Sequence, residues 1–198
     1  MAAVLLPQSP YYRKAVPGII TYRNDFEPML GGEDQRLFRL GERYGILVEL
    51  PRLSFEQARV WIPLLLKGSR DKVIWRWPQP RFAVGVPGAV LINGALAANN
   101  VNVPLKALTS GYVPQVGQWL TVVHSGIRYL HQIVGYTVST STTGTAEVWP
   151  PTRSAFSDGD VVKMDPPEIE GFPQDRNLTW DYDRALTAGL SFTIKEAK

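Results

Sequence analysis

Between Tyr44 and Leu50 the chain alternates. Tyr44, Ile46, Val48 and Leu50 fall on one side, and Gly45, Leu47 and Glu49 on the other. A period of two with one apolar side predicts a strand buried on one face. The period then changes. Ser54 followed by Gln57 makes a capping box, and Phe55, Ala58, Trp61, Ile62 and Leu65 share one stripe of a 3.6-residue helix. Pro63 removes an interior backbone donor and predicts a kink, while Gly68 suits the position just past the helix end. "DKVIWRWP" (71–78) predicts a short strand with Trp75 and Trp77 on one face and Arg76 on the other.

Residues 118–138 predict a hairpin turning at Ser125-Gly126, which sets His124 opposite Ile127 and His131 opposite Leu120. "VLINGALA" (90–97), "GTAEVWPP" (144–151) and "GDVVKM" (159–164) predict further short strands. Such spacing over roughly 80 residues suggests a small barrel or sandwich. In the tail, Leu178, Trp180 and Tyr182 alternate with Thr179, Asp181 and Asp183. Leu190, Phe192 and Ile194 alternate with Ser191, Thr193 and Lys195. Both read as strands with one dry face, separated by a break at Ala188-Gly189. Pro7, Pro10, Pro17 and Pro28 make the first 35 residues read as an extended arm outside the core.

Charge divides the chain. Between Asp71 and Glu147 there is no carboxylate, yet Lys72, Arg76, Arg81, Lys106 and Arg128 lie there. This shift, bounded by "WPQPRFAVGVPG" (77–88), suggests an inserted second module. The chain has 198 residues, 44% of them hydrophobic, enough for one sizeable core or two small ones. A net charge of +3 gives no argument for nucleic acid. Without cysteine, disulfide and thiolate chemistry are excluded. The apolar runs Ala2–Leu6 and Val60–Leu66 are too short for a signal core or a membrane span, so the expectation is a soluble chain made in a cytosol.

Candidate chemistry is sparse. His124 and His131 would lie roughly 13 Å apart along the ladder, too far for one metal and with no acid expected nearby. No setting for a Ser-His-Asp triad and no phosphate-cradling glycine loop is present. Asp181 and Asp183, about 6.6 Å apart on one strand face, have the spacing of an inverting glycosidase pair but fall on the wet side. In "VWPPTRSAFSDGD" (148–160) the strand ends at Trp149 because the two prolines cannot donate to a ladder, and Asp158-Gly159 turns the chain. This is a corner, with Arg153 fixing the loop or reaching a neighbouring subunit. No enzyme, metal or cofactor is expected. On the hairpin, Trp119 and Arg128 share a face with Leu130, and Tyr129 shares the other with both histidines. Trp119, Arg128 and Tyr129 are the candidate barrel surface for a glycan or partner, or for stacking single-stranded nucleic acid.

Three stretches, "ELPRLSFEQARVWIPLL" (49–65), "AEVWPPTRSAFSDGDVVKM" (146–164) and "LTWDYDRALTAGLSFTIKEA" (178–197), add a resemblance. In this order and spacing they resemble the distal tail proteins of bacteriophages with long non-contractile tails. The resemblance implies a mainly β chain: a ring-forming β-sandwich with one α-helix over residues 1–80 and 165–198, carrying an inserted OB-like β-barrel over 81–164. It implies a hexameric homo-oligomer ring in the virion, made in the host bacterial cytoplasm. That ring joins the tail tube protein to the hub and tail fibres, and DNA passes through its lumen unread, with no membrane anchor. Tyr11, Tyr12, Arg13, Trp61, Trp75, Trp77 and Arg153 are then the candidate subunit-interface residues. The alternative is a carbohydrate-binding module that attaches a particle to a host surface glycan.

Overall fold

The structure is a computed structural model and describes residues 3–22, 24–26, 31–33, 35–37, 41–174, 179–182 and 187–197. The chain opens with β1 (Val4–Leu5) and β2 (Lys14–Ile20), and then a two-stranded hairpin of β3 (Asn24–Phe26) and β4 (Gln35–Leu37). β5 (Arg43–Glu49) and β6 (Leu53–Ser54) lead into α1 (Phe55–Asp71), followed by β7 (Val73–Arg76). Next come β8 (Leu91–Ile92), β9 (Asn102–Lys106), β10 (Trp119–His124), β11 (Ile127–Thr140), β12 (Thr143–Trp149) and β13 (Val161–Lys163). The chain returns through β14 (Glu168–Pro173), β15 (Trp180–Tyr182) and β16 (Thr187–Glu196).

The fold is mainly β, with one helix among the described residues. The expected sandwich takes the form of a single eight-stranded sheet, ordered β1-β7-β14-β16-β5-β2, that forks at β16. The C-terminal part of β16 pairs with β14 and β5, and its N-terminal part with β15 and β6. β8 to β13 close into a separate barrel of six strands, where an OB-like barrel has five. Val90, Ile92, Leu105, Leu120, Val122, Ile133 and Val148 fill its interior, as the small circumference of such a barrel dictates.

Alternation and capping act as the sequence predicts. Tyr44, Ile46, Val48 and Leu50 are buried. Ser54 Oγ accepts from Gln57 N and Gln57 Oε1 from Ser54 N, closing the box at the start of α1. Trp61 and Leu65 then pack into the sheet, with Trp61 centred 5.7 Å from Trp75 and 6.0 Å from Phe192.

Several expectations are corrected. α1 runs past Gly68 to Asp71, and Gly68 is an internal glycine pressed against Val73, where a side chain would collide. Ala188 and Gly189 do not break a strand; they lie inside β16 opposite Tyr182 and Asp181. The N-terminal arm is not outside the core. Val4 and Leu5 pair in parallel with Val73 and Ile74, Leu6 is buried, and residues 14–20 add a full strand against β5. β9 was not foreseen: Pro104 argues against a strand, yet it pairs with Thr145 and its carbonyl accepts from Asn93 N at 2.9 Å. Leu178 and Asp183 lie outside the described residues.

Candidate functional site

The β10–β11 hairpin has two faces with different tasks. Leu120, Val122, Tyr129 and His131 point into the barrel, and Trp119, Arg128 and Leu130 point away from it onto the large sheet. Leu130 belongs to the core of the sheet. Trp119 packs 4.7 Å from both Tyr44 and Trp77. Trp119 and Arg128 are therefore half-buried seam residues turned onto the large sheet, and Tyr129 is a core residue. The correction has a simple cause: the outward face of a strand is exposed only if nothing else packs on it.

The charge asymmetry resolves at the same seam. Arg128 bonds Glu168 through Nε at 2.6 Å and Glu170 through Nη1 at 3.2 Å. Lys163 reaches Glu168 at 2.9 Å and Lys72 reaches Glu170 at 3.4 Å. Lys106 pairs with Asp158. Bases of the acid-free stretch thus find carboxylates brought back by the C-terminal part of the chain. Burial pushes the Glu168 carboxyl up, but the bonds from Arg128 and Lys163 outweigh it and hold the group below its ordinary value.

Glu196, at the end of β16, is the deepest link. It accepts from Leu130 N at 2.8 Å, from Tyr44 N at 3.2 Å and from the Arg153 guanidinium. Burial pushes its carboxyl up to about 6, against the pull of Arg153. Arg153 also donates to Ala197 O at 3.1 Å, so it fixes the corner to its own sheet and is not available to a neighbouring subunit. Glu168, Glu170 and Glu196 escaped the sequence reading, although a stretch with five bases and no acid demands counter-charges from elsewhere.

The corner behaves as read. β12 ends at Trp149, Asp158 Oδ1 accepts from Gly94 N at 2.7 Å, and Gly159 has the positive φ (82°) of a turn. The histidines have separate surroundings. His124 Nδ1 lies 2.7 Å from Asp160 Oδ2, the nearby acid not foreseen from the sequence. His131 is fully buried and donates from Nδ1 to Pro150 O at 2.8 Å. Among the described residues no three potential ligands gather for a metal.

The remaining interface candidates separate by depth. Trp61, Trp75 and Trp77 are buried in the core of the chain and have no surface to offer. Trp61 Nε1 instead donates to Ser9 O at 3.2 Å and holds the arm to the helix. Tyr11 is 64% exposed and stacked 4.2 Å from the half-buried Tyr12, and Arg13 pairs with Glu49 at the surface. Beside them lies a free edge. Among the described residues β2 pairs with β5 alone, Pro17 sits within it, and Val16 and Ile19 are 44% and 41% exposed. Phe26 on β3 and Leu37 on β4 are exposed as well. No described helix is long and apolar enough to cross a membrane.

No family model matches the chain, and no curated protein matches it.

Proposed function

We propose that the chain is a structural subunit of the tail tip of a bacteriophage with a long non-contractile tail. In this reading it closes into a ring, hexameric by the resemblance, that joins the tail tube protein to the hub and fibre assembly in the virion. DNA passes through the lumen unread. The observation that carries the reading is the free edge of β2. It is a seven-residue strand that among the described residues has a sheet partner on one side only, with Val16 and Ile19 exposed, and the following hairpin exposes Phe26 and Leu37. The opposite edge, β1, has two residues and is followed by Pro7. Unequal edges favour a head-to-tail contact, and a head-to-tail contact that closes makes a ring. The seam supports the reading in a second way. Its carboxylates are committed to ion pairs and backbone donors, which suits a carrier holding the six-stranded barrel in a fixed orientation.

The test is the mass and shape of the purified protein at high concentration, by light scattering and negative-stain imaging. Rings of uniform subunit number are expected. Replacing Val16 and Ile19 together by lysine should return monomers with an unchanged unfolding temperature. Monomers in the unaltered protein, both alone and with tail tube protein added, would sink the reading.

A further inference from the structure

The outer face of the barrel carries a constellation that the seam does not use. Along β12 the buried Ala146 and Val148 alternate with the outward Glu147 and Trp149. Trp149 is 37% exposed and stands opposite Gln132 of β11. Glu147 stands between Gly135 of β11 and the exposed Asn102 of β9. Directly paired residues on one sheet face lie about 5 Å apart, and alternate residues of one strand about 6.6 Å apart. The patch is therefore one to two sugar rings wide.

The backbone and one side chain of the patch are held by hydrogen bonds. A Cβ on Gly135 would come within 2.8 Å of Glu147 Oε2, so the glycine leaves the space over which the carboxylate lies. Gln132 Nε2 donates to Gly117 O at 3.1 Å, which leaves Oε1 as an acceptor. Trp149 O accepts from the Tyr44 hydroxyl at 3.1 Å, tying the platform to the large sheet. All four groups stand on strands of the barrel, which place a site more precisely than loops do.

We propose that this patch binds a neutral glycan. The Trp149 indole lies under the apolar face of a pyranose, and Glu147, Gln132 and Asn102 take its hydroxyls. The hydrogen-bonding inventory suits this ligand: the patch offers a carboxylate acceptor and two amides that donate and accept, and sugar hydroxyls do both. The carboxylate repels acidic sugars, and none of these residues is a cation that could hold a phosphate. Stacked nucleobases would bring their phosphates against Glu147. The proposal does not depend on the ring reading.

The experiment titrates the full chain with maltotriose, cellotriose and the β-1,4-linked N-acetylglucosamine trimer, each to about 10 mM, followed by saturation-transfer NMR. At least one should bind with a Kd on the order of 1 mM or tighter. Trp149→Ala should weaken that binding about tenfold or more with no change in unfolding temperature, and Trp149→Phe should retain part of it. If Trp149→Ala does not fold, Glu147→Gln and Asn102→Ala carry the comparison. Binding that these substitutions leave unchanged overturns the proposal. So does failure of all three sugars, which would make the patch a protein contact.

Discussion

Acid should weaken this fold through one buried imidazole. His131 has no exposed surface, and its Nδ1–H is spent on Pro150 O. Its Nε2 has no hydrogen-bond partner. A second proton would have to sit there, in the dry barrel interior and near the Arg153 guanidinium. Burial, with the Arg153 charge adding to it, lowers its pKa from 6.5 to about 4, although the bond to Pro150 pulls the other way. Between these values the unfolded chain binds a proton that the folded chain refuses, so stability falls as pH falls. At about 1.4 kcal/mol per pH unit the loss is roughly 2.5 kcal/mol at pH 4.5. In a chain of this size that corresponds to roughly 5–10 °C in Tm. Glu196 works in the opposite sense, because its raised pKa lets the folded state take up a proton between about 6 and 4.5. The bare pH profile therefore mixes two effects, and a substitution separates them. His131→Asn keeps a side-chain amide to donate to Pro150 O but cannot be charged. It should cost about 1–2 kcal/mol at pH 7.5 through the space it leaves. Urea unfolding followed by tryptophan fluorescence, at pH 7.5 and 4.5, gives both stabilities. On acidification the difference should move by roughly 2.5 kcal/mol in the variant's favour, enough to make the variant the more stable of the two at pH 4.5. Parallel curves, with the same gap at both pH values, would refute the reasoning.

Two further substitutions test the packing and the seam. Gly68→Ala puts a methyl group where Val73 already lies and should destabilise by about 1–3 kcal/mol, seen as a lower urea midpoint at unchanged slope. An unchanged midpoint would mean that α1 and β7 can move apart freely. Arg128→Ala takes the shared cation from Glu168 and Glu170 but leaves each of them a lysine, Lys163 and Lys72, and should cost about 1–3 kcal/mol, the scale of lost hydrogen bonds to charged groups. Calorimetry should show the loss shrinking below pH 4.5, where the unfolded carboxylates are protonated and the stability that Glu168 draws from its depressed pKa is lost. A loss that is the same at pH 7 and pH 4 would count against the electrostatic account.

The two candidate surfaces differed in legibility. Tyr11 and Arg13 are interface candidates in the proline-rich arm and lie at the surface. Trp149 was read only as a strand end and its exposure went unremarked. By contrast, the other candidate tryptophans were assigned to surfaces because aromatic side chains suit interfaces and cores equally well. Only a covering partner distinguishes the two cases.

What the sequence determined by itself is local. The strand face from Tyr44 to Leu50, the capping box at Ser54 and Gln57, the stripe through Trp61 and the register about Ser125-Gly126 all follow from periods and turn chemistry within a few residues. The tertiary structure decided whatever depends on a distant segment arriving. It covered Trp119 and Leu130 with the large sheet, and it carried α1 past Gly68 because Val73 needs the space. It drew Val4 to Leu6 into the core beside β7. It also supplied Arg128 and Arg153 with the glutamates of β14 and β16. The physical reason is that burial and charge pairing are properties of neighbours in space, and for these residues the neighbours lie tens of positions away along the chain.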